Sequence, residues 1–266
     1  MPIWPPLKST RKLISVTWRR STIALIHALI YLMMTTPIIS FDLDDTLWDN
    51  RRVIQRALRQ LYDALTKAYP QMIHQISFSD FIHMAEDLDE QWPMDSHRIA
   101  HLKAVLTRIG LPTSQASEHA IRWTQHYRRW RSQVQCYPGV ISLLVSLKTK
   151  YRLIAITNGN VDARQVGLYG LFEQIFYAEE FGLQKSNVDL YRSISRRLAT
   201  GHPSPLLHIG DHWQQDVLVP AEAGWQTLWV QRPNVEPTSP PPKGYLGKIG
   251  HVLELPIKLQ AIPVLA

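Results

Sequence analysis

The chain has 266 residues, enough for one large domain or two smaller ones, and its 45% hydrophobic and 19% charged content excludes an intrinsically disordered protein. The single cysteine, Cys136, excludes an internal disulfide and a multi-cysteine zinc site and fits a reducing, cytoplasmic setting. The net charge of +7 is concentrated at the start: Lys8, Arg11, Lys12, Arg19 and Arg20 precede the first acid and the remainder carries only +2, so no nucleic-acid partner is expected.

Residues 1–34 read as a basic and apolar N-terminal extension. The run Ile23–Met34 follows Trp18-Arg19-Arg20, as in a signal peptide, but no small-x-small site comes after it. It is also shorter than the roughly 18 apolar residues of a membrane span, so no membrane partner is expected. Met33 and Met34 stand where a compact domain would begin. Pro37–Phe41 is apolar and β-branched, the pattern of a buried parallel strand.

From Asn50 to Gln135 the periodicity turns helical. Val53, Ala57, Leu58, Leu61 and Leu65 recur at three- and four-residue spacing, and Phe81 to Leu88 and Ile99 to Ile109 continue it. Gly110-Leu111-Pro112 breaks the run before another helix from about Ser114. Residues 50–135 are therefore expected to form a helical insert in an α/β core made of 35–49 and 136–266. After Tyr137-Pro138-Gly139 the pattern alternates. Strands are expected at Leu153–Ile156, Phe172–Tyr177, Leu206–Ile209 and Thr227–Val230. Helices are expected at Val140–Leu147, Leu190–Leu198 and Val217–Ala223. The 237–242 stretch reads as a loop, followed by short elements near Val252–Leu255. This alternation predicts a Rossmann-like parallel sheet covered by helices.

Polar residues gather at the carboxyl ends of these strands. Asp42 and Asp44 follow the first, Thr157 and Asn158 the second, and Asp211 the strand ending at Ile209. Ligands of open parallel sheets bind at such ends. Several carboxylates there repel one another unless a cation sits among them, and hard oxygen donors without cysteine favour Mg2+ over zinc. A cation, a lysine, a hydroxyl and an amide together suit a phosphoryl group.

The run Phe41-Asp42-Leu43-Asp44-Asp45-Thr46-Leu47 resembles the DxDxT motif of the haloacid dehalogenase (HAD) superfamily. Ile156-Thr157-Asn158-Gly159 resembles its second motif, Lys185 its third, and Gly210-Asp211 with Asp216 its fourth; the helical insert resembles its C1 cap. The runs Phe41–Arg51, Ile156–Asn160 and Trp130-Arg131-Ser132 resemble more narrowly the YigB-type phosphatases. That branch acts on FMN and on 5-amino-6-(5-phospho-D-ribitylamino)uracil, in riboflavin metabolism.

The resemblance implies a Mg2+-dependent phosphatase acting on a small phosphorylated metabolite through an aspartyl-phosphate. By it, Asp42 is the nucleophile and Asp44 the acid and base. Asp42, Asp211 and the backbone carbonyl of Asp44 would hold the metal. Thr157, Asn158 and Lys185 would hold the phosphoryl oxygens, with Asp216 behind Lys185 or the metal-bound waters. Two positions depart from the pattern: Ser186 stands where the family has proline, and His212 where an acidic or small residue is common. Phosphatases of sugar phosphates or nucleotides, phosphomutases and a catalytically silent binding protein share the scaffold. The family's dehalogenases lack an acid at the position of Asp44. In the insert, Trp48, Trp92, Trp123 and Trp130 could stack on a planar ring, and Arg98, Arg128, Arg129 and Arg131 could steer an anion.

Overall fold

The computed structural model describes residues 36–86, 94–159, 161–162, 164, 166–198 and 205–262. The N-terminal extension and Trp92 lie outside them. Six strands form one sheet in the order β3-β2-β1-β4-β5-β6, every neighbouring pair parallel: β1 Ile38–Phe41, β2 Arg152–Thr157, β3 Gln174–Tyr177, β4 Leu206–Gly210, β5 Gln226–Val230 and β6 Tyr245–Ile249.

Alternation along the strands builds a separate core on each face. Ile39, Phe41, Leu153, Ala155, Leu207 and Ile209 pack with helix α6 (Val140–Lys148) and α9 (Leu255–Gln260). Ile38, Ile154, Ile156 and Phe176 pack on the other side with α7 (Val188–Leu198) and Trp225. Both classes of strand residue are buried because helices cover both faces.

Between β1 and β2 run α1 (Asn50–Ala68), α2 (Met72–Gln75), α3 (Phe78–Glu86), α4 (Met94–Arg108) and α5 (Thr113–Arg131). Asp49 caps α1 by accepting from the Arg52 amide, and Ala57, Leu61 and Leu65 place its apolar stripe inward. These helices share a core of their own with Phe81, Leu102, Leu106 and Ala120. Among the described residues no helix is long and apolar enough to cross a membrane.

Two differences from the sequence reading stand out. The segment expected as a helix from Val217 opens earlier, as a wide π-type turn over Trp213–Leu218, before the short α8 (Val219–Glu222). Strand β6 was not foreseen. It is a part-exposed edge strand that meets β5 alone, with a register shift beside Gly247 at φ 111°, so neither alternation nor a continuous apolar run marks it.

Leu144 is fully buried in the core beneath α6. Leu144→Ala should lower the unfolding free energy by about 2–5 kcal/mol in urea titration with an unchanged m-value; a loss below about 1 kcal/mol would show that this packing is not tight.

Candidate active site

The site begins where the sheet changes direction. β1 lies between β2 and β4, so the chain crosses one way from β1 and returns the other way to β4, leaving a crevice at their carboxyl ends. Asp42 leaves β1 with its N–H still donating to the Ile209 carbonyl, 2.8 Å away, which carries the ladder one residue further. Asp211 leaves the adjacent β4, and the indole N–H of Trp229 donates to its carbonyl at 2.7 Å.

Asp42, Asp44, Thr157, Asn158, Lys185, Asp211 and Asp216 all line one cavity of about 170 Å3. At roughly 30 Å3 per water, that is room for about five or six waters. The buried Lys185 ammonium donates to Asp42 Oδ1 at 2.6 Å and to Asp216 Oδ1 at 2.5 Å. Asp216 also accepts from the His212 amide at 2.9 Å and faces His208 Nε2 at 3.1 Å. Ser40 completes this line, its hydroxyl 2.8 Å from His208 Nδ1.

Burial sets the charges. It pushes the His208 imidazole below its ordinary range, so the ring is neutral near pH 7. The hydrogen-bond network then assigns the proton to Nε2, facing Asp216, with Nδ1 accepting from Ser40. Burial alone would raise Asp216, but the Lys185 charge and the His208 hydrogen bond hold it well below the usual carboxylate range. Lys185 is raised despite its burial by Asp216 and Asp42. Burial raises Asp42 well above the usual range, and the Asp216 and Asp211 charges add to the rise against Lys185. Asp211 is pushed up to about 7 by burial first and by Asp216 second.

The buried ammonium thus pairs with two of the three buried carboxylates, and Asp211 pairs with the part-exposed Arg232. Asp42, Asp211 and Asp216 each offer an oxygen within 4.8 Å of the others. Asp216 is committed to Lys185, His208 and a backbone amide, which leaves Asp42 and Asp211 with the capacity for a divalent cation. A cation there would relieve the repulsion that raises both, so the donor set fits a hard metal ion.

The remaining groups hold the walls. Asp44 Oδ1 accepts from Trp48 Nε1 at 2.9 Å and from Arg131 Nη2 at 2.6 Å. Trp48 is fully buried, so it carries Asp44 and does not present a stacking face. Thr157 accepts from the Gly159 amide at 2.8 Å. Asn158 spends both ends of its amide on loops: Oδ1 accepts from the Lys185 amide at 2.8 Å and Nδ2 donates to Gln215 at 2.9 Å. Asp45, at φ 60°, accepts from the Asn50 amide. Gly210 and Gly159 are required by close approach. A Cβ on Gly210 would lie 2.3 Å from the Asp216 carboxyl carbon, and one on Gly159 would lie 2.8 Å from Asp44 Oδ2.

Sequence reasoning missed several participants. Ser40 and His208 are buried polar residues in otherwise apolar strands, and that interruption is the signal they leave. Arg232, beyond β5, donates from Nε to Asp211 at 2.9 Å and lies 3.4 Å from Asp45; nothing in its local pattern marks it. Of the arginines suggested to steer an anion, Arg98 lies over Tyr127, Arg128 pairs with Asp95, and Arg131 is buried against Asp44. Trp123 and Trp130 pack partly buried in the insert core.

A family model of haloacid dehalogenase-like hydrolases matches residues 36–224. The chain belongs to this family. It is 29% identical over 201 residues to the 5-amino-6-(5-phospho-D-ribitylamino)uracil phosphatase YigB of Escherichia coli, covering 74% of this chain and 84% of that one. It is 23% identical over 206 residues to the glyceraldehyde 3-phosphate phosphatase of Methanopyrus kandleri, covering 75% and 86%. Among solved structures, a 2-haloacid dehalogenase from Pseudomonas syringae superimposes with a TM-score of 0.72 at 26% identity, covering 85% of this chain and 99% of that one.

A divalent cation held at Asp211 would compete there with protons. Its folded value near 7 lies above the ordinary range, so the stability from its protonation is complete below about pH 4 and is lost as pH rises through 7. Added Mg2+ should therefore raise the melting temperature more at pH 8 than at pH 5.5; a gain independent of pH would disprove the competition. Gly210→Ala should lower the melting temperature and weaken this Mg2+ response, because the new methyl displaces Asp216; an unchanged response would separate Asp216 from the cation site.

Proposed function

We propose that the chain is a Mg2+-dependent phosphatase that hydrolyses a small phosphomonoester through an aspartyl-phosphate. The observation that carries this reading is the buried Lys185 ammonium 2.6 Å from Asp42 Oδ1, inside a cavity that Asp44 and Asp211 also line. It rests further on the YigB and glyceraldehyde 3-phosphate phosphatase relatives.

In this mechanism Asp42 attacks phosphorus in line, and the phosphorus–oxygen bond to the leaving group breaks as the new one forms. Asp44 gives its proton to the departing alkoxide, then takes one from the water that hydrolyses the aspartyl-phosphate. Lys185, Thr157 and the Asn158 loop hold the phosphoryl oxygens, and Asp216 keeps Lys185 in place. Asp42, Asp211 and the Asp44 carbonyl would hold the ion, which supplies positive charge against the substrate oxygens. The carboxylates alone would repel an anionic substrate, so the ion and Lys185 are both needed.

A larger cavity of about 440 Å3 is lined by Arg128, Arg129 and Ser132 of the insert end and by Asp162, Tyr177, Glu179 and Glu180 of the core, and Tyr177 stands in register with Thr157 of the first cavity. It is of the size that takes a small organic ligand. We assign the leaving group to it and take a phosphorylated ribitylamino-uracil or FMN as the best specific substrates, on the YigB likeness. The lone Cys136 and this substrate class fit a cytoplasmic enzyme.

The 2-haloacid dehalogenase likeness suggests a second reading. Asp44 weighs against it, because the dehalogenases of the family lack that acid and a carbon–halogen bond needs no proton donor.

Phosphate release measured over sugar phosphates, nucleotides, FMN and ribitylamino-uracil phosphate should show turnover that EDTA stops. Asp42→Asn should lower turnover by on the order of 1000-fold or more with the fold intact by circular dichroism. Halide release from a short 2-haloacid without phosphate release would reverse the choice, and transfer of the phosphoryl group back onto a sugar would mark a phosphomutase.

A further inference from the structure

We propose that Arg131 is a positioning residue, which fixes the Asp44 carboxylate so that Oδ2 faces the leaving-group oxygen. The inference rests on the phosphatase reading and adds to it the residue that aims the acid.

Arg131 is the last residue of α5 and so belongs to the helical insert, 87 residues from its partner. Its side chain is 2% exposed, yet it carries a full charge, and Nη2 lies 2.6 Å from Asp44 Oδ1. Nη1 is buried with no hydrogen-bond partner, so Asp44 is what holds this guanidinium inside the protein. Burying an arginine for so few contacts costs stability, which a purely structural role does not explain.

The contacts on Asp44 are lopsided. Oδ1 takes both donors, the Arg131 guanidinium and the Trp48 indole at 2.9 Å. Oδ2 has no hydrogen bond from the described residues and faces Gly159, where the missing Cβ leaves the space that a side chain would fill at 2.8 Å. With Oδ1 taken by two donors, Oδ2 is the oxygen left open to exchange a proton. Oδ2 is therefore the atom that gives the proton, on the cavity side of the residue. Arg131 and Trp48 pin the group from two directions, and the planar guanidinium does so from the insert.

The test uses the dependence of rate on the leaving group. An aryl phosphate such as 4-nitrophenyl phosphate departs without a proton, whereas an alkyl phosphate such as glycerol phosphate needs one. The value of kcat/KM reports the steps up to leaving-group departure, before hydrolysis of the aspartyl-phosphate. Arg131→Gln should lower kcat/KM for the alkyl ester by about 100-fold and for the aryl ester by less than about 3-fold. Arg131→Lys should recover part of the alkyl rate. In an Asp44→Asn background, Arg131→Lys should cost nothing more. Equal losses on both esters, in either variant, would overturn the inference and leave Arg131 a structural residue. If Arg131→Gln fails to fold by thermal melting, Arg131→Lys and the Asp44→Asn background decide alone. If the parent protein hydrolyses neither ester, the phosphatase reading itself falls, an outcome distinct from equal losses in an active enzyme.

Discussion

The site depends on a shortage of buried positive charge. Lys185 sits between Asp42 and Asp216, Asp211 leans on the part-exposed Arg232, and the lysine and the three acids are buried. Removing one member of such a group leaves an uncompensated charge, which is why these residues stand or fall together. The same shortage makes the pocket chemically useful. It divides the carboxylates into one held ionised, Asp216, and two held above their ordinary range, Asp42 and Asp211. The second pair could take a cation, and the first pairs with the lysine.

Precision comes from parts that cannot move far. Asp42 is tied to β4 through its amide, Asp211 to β5 through Trp229, and Asp216 to β1 through His208 and Ser40. Gly210 and Gly159 let backbone approach carboxylates at distances no side chain would allow. These constraints lie at or beside the strand ends of a sheet covered on both faces. Among the described residues of the insert, Arg131 reaches Asp44, Val53 joins the core of the sheet, and most of the remaining apolar side chains pack on a core of their own.

The likeness to a 2-haloacid dehalogenase and to phosphatases together shows how little the fold decides by itself. Both chemistries can use a nucleophilic aspartate at the end of β1. Beside Asp42, in the same small cavity, stand Asp44 and Asp211, to which the proposed phosphatase reading gives the proton donor and a holder of the cation.

Much of this was legible in the sequence. Apolar β-branched runs ending in acids announced β1 and β4, and three-four periodicity announced the insert helices, because burial on two faces or on one stripe imposes those patterns directly. Asp42, Asp44, Asp211 and the Thr157-Asn158 pair could be picked out because polar residues at strand ends are conspicuous, whereas Lys185 and Asp216 were marked only by the family resemblance. Strand β6 was not, since an exposed edge with glycines carries no periodic signal. Nor were the partners of the acids. Arg232 is an ordinary residue in its local context, His208 shows only as a polar break in an apolar strand, and Arg131 was marked for an anion and not for Asp44; each is joined to a carboxylate that the chain brings near only on folding. Which residues carry the chemistry was set by the order of amino acids. Which oxygen each one presents, and at what charge, was decided by tertiary burial, because desolvation and distance act through space and leave no trace along the chain.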